Sequence, residues 1–233
     1  RLGCAAWLDQ ALIDSIGVLL QAGAITLRTV AQDGLRVRAS AGSSSMRRRR
    51  TLEQALAEAR SQVETLKREL AGDGAASLGR RQAAQKRAAE DRQRRLEAAV
   101  AALPEAQKRA VRNKKKAEDA RVSMTDPQAT VMKMPDGGYR PAYNTQIAAE
   151  TEHGLIVGLD VTSTGADQPS LEPMAKQVEQ RTGRAPARVL ADGGFFSHAS
   201  VTALTRAGIE VLIPGGLVAF GFLGMGPVTI AVD

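Results

Sequence analysis

From Leu52 onward, apolar residues fall alternately four and three positions apart: Leu56, Ala59, Val63, Leu66 and Leu70. That spacing is a heptad seam, the pattern of one helix packing along another. Thr51 and Gln54 form a capping-box pair ahead of it, and Gly72-Asp73-Gly74 predicts its end. A second, Ala-rich helix is expected over about 80–103, with Ala89, Leu96, Val100 and Leu103 on one side. Pro104 is expected to interrupt it, and 105–120 to continue helically through Lys114-Lys115-Lys116. A helical hairpin over 51–120 supplies no strand, so any sheet has to be assembled from the segments on either side of it. The charge also sits here. The chain carries 32 Lys and Arg against 25 acids, and roughly 22 of those basic residues lie between Arg36 and Lys116. Two readings stay open for this arm: a structural element held by its seam, or one that also grips a polyanion.

The flanking segments read as alternating strands and helices. Residues 5–22 place Ala5, Leu8, Leu12, Ile16, Leu19 and Leu20 at helical spacing, with Gly23 closing the helix. A strand from Ile25 ends at Asp33-Gly34, and Leu35, Val37 and Ala39 then alternate with Arg36, Arg38 and Ser40, predicting a half-exposed strand with a basic face. Beyond the arm, Arg121–Pro127 is a polar turn, 131–134 is short and extended, and 135–138 (Pro-Asp-Gly-Gly) is a tight turn. Residues 139–149 and 154–162 pattern as a hairpin, 171–183 as a helix, 188–192 as a strand, 197–207 as a helix and 209–213 as a last strand. Setting the arm aside leaves a mixed sheet with helix-linked strands, an α/β layer architecture. The divisions expected are 1–50 for the first helix and strands, 51–120 for the arm, 121–214 for the rest of the sheet domain, and 215–233 for an apolar, Gly-rich tail.

Two apolar runs, far apart in sequence, each finish in Asp-Gly: Asp33-Gly34 and Asp192-Gly193-Gly194. Either can be a plain turn. If both strands lie in one α/β sheet, both acids reach the C-terminal edge where ligands gather. Paired carboxylates there can hold two Mg²⁺ ions about 4 Å apart, one activating the attacking oxygen and the other stabilising the leaving one. Asp126, Asp160 and Asp167 compete, but they read as a turn former, a hairpin or local cap, and a helix N-cap respectively. The run Arg47-Arg48-Arg49-Arg50 is either a solvated surface or, beside such a site, a clamp on phosphates. Cys4 is the only cysteine and His153 and His198 the only histidines, so an internal disulfide and a structural zinc site are excluded on composition. Residues 1–22 do not read as a signal peptide, and the Gly- and Pro-rich stretch 211–232 is a poor membrane span despite carrying no charge.

Val-Ala-Gln-Asp33-Gly-Leu-Arg, the arginine run, Arg121-Val-Ser-Met-Thr-Asp126-Pro, Val131-Met-Lys-Met-Pro-Asp-Gly-Gly-Tyr-Arg-Pro-Ala-Tyr-Asn144-Thr-Gln146 and Val-Leu-Ala-Asp192-Gly-Gly-Phe-Phe together resemble the DDE transposases of bacterial insertion sequences. The resemblance spans about 10–214. It implies a ribonuclease H-like catalytic domain, here a mixed sheet interrupted by a long basic helical hairpin. It further implies Mg²⁺ (or Mn²⁺) held by Asp33 and Asp192 as the first two of three acids, with cleavage and joining of DNA strands as the activity. DNA, as element ends and target, is the expected partner, through Arg36, Arg38, Arg47, Arg48, Arg49, Arg50, Lys114, Lys115 and Lys116. Homo-oligomers, no membrane association, and a bacterial cytoplasmic, nucleoid-associated location follow from the same resemblance. The family's third acid is a glutamate on a helix after the last strand. No Glu follows Glu210 in this chain, and Glu210 itself falls inside the predicted last strand. A fragment truncated at both ends and without turnover is therefore expected, or else a non-catalytic DNA-binding and oligomerising remnant.

Overall fold

The structure is a computed structural model that describes residues 4–72 and 79–214. It divides into two compact units, one from residues 1–37 and 144–233, the other from residues 38–143. In chain order the elements are α1 (Ala5–Gln21), β1 (Thr29–Arg38), β2 (Met46–Arg47), α2 (Arg49–Gly72), α3 (Gly79–Arg112), β3 (Val122–Ser123), β4 (Thr130–Lys133), β5 (Tyr139–Glu150), β6 (Ile156–Thr162), α4 (Leu171–Thr182), β7 (Arg188–Ala191), α5 (His198–Arg206) and β8 (Glu210–Leu212). The expected tail, 215–233, lies outside the described residues. The fold is the expected α/β class, a mixed sheet with a long helical insertion between its first two long strands.

In the first unit, β1 is central. It runs parallel to β7, from Thr29 opposite Arg188 to Gln32 opposite Ala191, and β7 runs parallel to β8. On its other side β1 neighbours β5, whose residues 144–149 pair antiparallel with β6. The helix-linked strands β7 and β8 thus run parallel as expected. Ile16 of α1 and Met174 and Val178 of α4 are buried with Val30, Ala148 and Val157 of the sheet. Gly158 lets α4 come close: a Cβ there would sit 2.6 Å from Met174 Sδ and 3.1 Å from Ala148 Cβ. Leu171, Phe195 and Leu204 join Val189, Ala191 and Val211 in a second apolar cluster.

Two expectations about β1 are corrected. The strand does not end at Asp33; it continues through Asp33-Gly34 to Arg38. Nor is the basic face exposed along its whole length: Arg38 keeps 62% of its side-chain surface, but Arg36 does not. Leu35 is 53% exposed and Val37 44%, whereas the Arg36 side chain retains only 28%. Alternation shows which residues share a face, but burial of that face depends on what packs on it. The guanidinium of Arg36 is drawn inward by the Gly165 carbonyl at 2.8 Å.

In the second unit the seam packs as its spacing predicts. Leu52, Leu56 and Ala59 of α2 are buried with Leu96, Ala99, Leu103 and Ala106 of α3, and Ala120 and Val122 complete the cluster. Helix α3 is not interrupted at Pro104, however; it is continuous from Gly79 to Arg112. Proline has no N–H to offer the carbonyl of Val100, a loss that would break an isolated helix. Here Leu103 and Ala106, on either side of it, are both buried against α2, and tertiary packing outweighs the local cost. Pro104 itself is exposed, so Pro104→Ala removes no packing. It should stabilise this unit by about 1 kcal/mol, part of the ~3 kcal/mol a proline costs in a helix interior, read from a thermal or urea melt. The helix also stops earlier than expected. Asn113 N and Lys114 N still bond back to Arg109 O and Val111 O, but Lys114 turns out at φ 57, so Lys114-Lys115-Lys116 lie in a loop. Elsewhere in this unit β4 pairs with residues 139–142 of β5, and Tyr143 donates to Asp126 Oδ1 at 2.5 Å. Burial and that bond push the Tyr143 hydroxyl well above the usual tyrosine range.

Candidate active site

The parallel pairing of β1 and β7 ends at Gln32 and Ala191. Asp33 and Asp192 are the next residue of each strand, so two acids 159 positions apart in the sequence leave neighbouring strands at the same level. Adjacent strands lie about 4.8 Å apart, which is carboxylate-pair spacing. Both acids are exposed. One oxygen of each is anchored by local backbone: Gly34 N donates to Asp33 Oδ1 at 2.7 Å, and Gly194 N to Asp192 Oδ1 at 2.8 Å. Asp192 thereby caps the short turn 193–195.

Sequence reasoning missed what Asp167 does. Asp167 does not cap the following helical turn through its side chain. Its Oδ1 instead accepts from Asn144 Nδ2 at 2.6 Å and Gln146 Nε2 at 2.9 Å. Gln146 Oε1 in turn accepts from Gln32 Nε2 at 3.0 Å, and that amide also reaches Ser170 O at 3.3 Å. Gln32, Asn144 and Gln146 are buried, while the Asp167 side chain keeps 18% of its surface. Arg36 Nη2 lies 3.5 Å from Asp167 Oδ2. Two buried amides of β5, one of them steadied by Gln32 of β1, therefore hold one carboxylate. Two acceptor atoms of the cluster, Gln32 Oε1 and Asn144 Oδ1, are buried with no protein partner. The available signal was the pair Asn144 and Gln146 two apart within an apolar strand, which places two amides on one buried face. Asp160 and Asp126 match their local readings: Asp160 Oδ1 accepts from Val161 N at 2.8 Å, and Asp126 O takes the Ala129 N–H of the turn. Glu210 is tied to Arg188 across β7 and β8 at 2.7 Å.

The expected DNA-binding cations divide into committed and available ones. Arg48 pairs with Asp119 at 2.8 Å, Arg49 with Glu53 and Gln107 at 3.2 and 3.3 Å, and Arg47 donates to Met46 O at 3.3 Å. Lys116 lies 3.8 Å from Glu118. Arg50, Lys114 and Lys115 are exposed with no partner among the described residues. Arg38 and Arg140 share Asp136, at 3.1 and 2.7 Å, and line a cavity of about 450 Å³ with Tyr139, Pro141 and Ser43. The Arg140 contact and the Gly138 N–H hold the Asp136 carboxyl below the usual carboxylate range. Helix α3 carries ten Lys and Arg against four acids, and Arg112 in its last turn also lacks a partner among the described residues.

Among the described residues, one group of three ligand-type side chains draws its atoms within 4.8 Å of one another: Glu150, Glu152 and His153, at the turn between β5 and β6. Glu150 is buried and accepts from the backbone N–H groups of Glu152 and His153, the latter at 2.8 Å. That is a carboxylate closing a turn. Asp33, Asp167 and Asp192 are not drawn together that tightly.

A mixed α/β sheet interrupted by a long helical insertion is compatible with a ribonuclease H-like fold. Residues 111–217 match the transposase DDE domain family. The matched span contains Asp167 and Asp192, while Asp33 precedes it. Comparison with curated proteins and with solved structures returns no match. No described helix is long and apolar enough to cross a membrane.

Proposed function

We propose that the edge formed by Asp33 and Asp192 is the catalytic edge of a transposase from a bacterial insertion sequence, built for metal-dependent cleavage of DNA and transfer of the freed strand. The observation that carries this is the register: both acids emerge one residue past the last β1–β7 pair, each with one oxygen held by backbone. Their oxygens form a hard donor set that fits Mg²⁺ or Mn²⁺. When bound, the metal lowers the pKa of the attacking oxygen and stabilises the leaving one. The chain's own part is to fix the carboxylates on rigid strands and to hold DNA through sequence-independent phosphate contacts. Arg50, Lys114, Lys115 and the cations of α3 supply those contacts, and Arg38 with Arg140 adds a second basic point. Glu210 is engaged by Arg188 and Glu150 by the turn it closes, so neither sheet glutamate is offered as the family's third acid. The 233-residue chain, by itself, is accordingly expected to bind metal and DNA without turnover.

A second reading, a non-catalytic DNA-binding and oligomerising remnant, is favoured by the charge of α3. One experiment separates the two. The 233-residue chain is titrated with duplex DNA between roughly 50 and 200 mM salt, with and without Mn²⁺, and assayed for nicking. Both readings expect steep loss of affinity with salt. The catalytic-edge reading further expects Mn²⁺ binding that Asp33→Asn weakens at least tenfold. Mn²⁺ binding unchanged in that variant leaves only the remnant; robust nicking abolished by Asp33→Asn overturns the expected lack of turnover.

A further inference from the structure

We propose that Asp167 is the third carboxylate of the metal-holding edge, with Oδ1 held by the Asn144 and Gln146 amides and Oδ2 presented to the metal. This rests on the reading of Asp33 and Asp192 above.

Space makes the first argument. Both acidic motifs carry glycine, yet neither Gly34, Gly193 nor Gly194 adopts a positive φ. Their missing side chains, not their backbone freedom, are what the structure uses. A Cβ at Gly34 would lie 2.6 Å from Asp167 Oδ1, 2.8 Å from Gln146 Nε2 and 3.2 Å from Asn144 Oδ1. A Cβ at Gly194 would lie 3.0 Å from Asp192 Oδ1 and 3.8 Å from Asp167 Oδ2. Asp167 therefore occupies the room vacated beside both motifs, with its second oxygen on the side of Asp192.

Orientation makes the second. Carboxylates that ligate metals are themselves hydrogen-bonded by outer groups that turn one oxygen away and aim the other. Asn144 and Gln146 do this from a single strand, and Gln32 fixes Gln146. A carboxylate serving only to cap a helix turn needs none of these three buried amides. The third argument is the fully buried Asn144 Oδ1, an acceptor without a protein partner beside the same carboxylate. A buried acceptor costs about 1–3 kcal/mol when unsatisfied, so a bound water or cation shell is the natural partner. Arg36, 3.5 Å from Oδ2, makes its own hydrogen bond to Gly165 O and offsets part of the negative charge that three acids create.

The test is Mn²⁺ binding to the full 233-residue chain, with no activity required. Titration calorimetry compares wild type, Asp33→Asn and the isosteric Asp167→Asn. Expected is a rise in Mn²⁺ Kd of at least about tenfold for Asp167→Asn. Paramagnetic NMR on wild type needs no variant: substoichiometric Mn²⁺ should broaden the side-chain amide signals of Asn144 and Gln146 first. Unchanged affinity in Asp167→Asn alongside weakened affinity in Asp33→Asn would reduce Asp167 to a structural carboxylate and leave the edge reading intact. Broadening confined to His153 and its neighbours, or no Mn²⁺ binding at all, would overturn the edge reading and this inference together.

Discussion

Leu103→Ala should destabilise the helical unit by about 2–5 kcal/mol, the range for removing a fully buried leucine from a packed core. Leu103 is completely buried in the cluster that joins α2 to α3. It also precedes Pro104, where α3 lacks one backbone hydrogen bond. The side chain thus does two things: it fills the seam, and it keeps the helix continuous across a position that favours a break. Truncation should leave a cavity and let α3 fray at Pro104. Hydrogen exchange on amides of α3 would localise the effect, and a urea melt would size it. A loss below about 1 kcal/mol would mean that the seam repacks around the cavity and that continuity at Pro104 has another source.

Gly34→Val should disrupt the site more than any change that leaves the acids in place. A Cβ there meets Asp167 Oδ1 at 2.6 Å and Gln146 Nε2 at 2.8 Å, and valine adds two methyl groups to that Cβ. Overpacking of this kind costs typically 1–3 kcal/mol. The displaced groups are side-chain ends, which elsewhere could swing away cheaply. Here Gln146 is buried and Asp167 only partly exposed, and they are bonded to one another, so moving them also breaks the Asn144 and Gln146 bonds to Asp167, at about 1–3 kcal/mol for a group left unpaired. The combined loss should appear as a lowered melting temperature together with weakened Mn²⁺ binding. Full stability with unaltered binding would show that Asp167 has room elsewhere and that the glycine is not there for space.

Much of the architecture was legible because its signals are local. The four-three spacing from Leu52 identified a packed helix pair, Gly183 and Gly208 marked helix ends and both adopt positive φ, and the order of strands and helices predicted the mixed sheet. The misreadings share a cause. Pro104 was expected to break a helix by local geometry, and Asp33-Gly34 to end a strand by turn chemistry; in both places contacts with distant segments overrode the local preference. Arg36 was assigned an exposed face with Arg38 from alternation, which is blind to what covers a face; Arg38 is exposed, and Arg36 is drawn in. The arginine run illustrates the same limit for charge. Four consecutive arginines look uniform in sequence, yet Arg48 and Arg49 are tied to Asp119 and Glu53 while Arg50 is left over.

What the sequence determined alone is a basic helical hairpin set between the strands of an α/β sheet, and two acids in Asp-Gly motifs as its chemically distinctive points. Residue type and short-range spacing encode those features, because helix seams and strand ends are decided within a few residues. The tertiary structure alone decided that Asp33 and Asp192 stand on neighbouring parallel strands, that their glycines make room instead of turns, and that Asp167 is held beside Gly34 by amides of β5. Those facts depend on contacts between segments from about twenty to more than a hundred residues apart, and such contacts leave no periodicity along the chain.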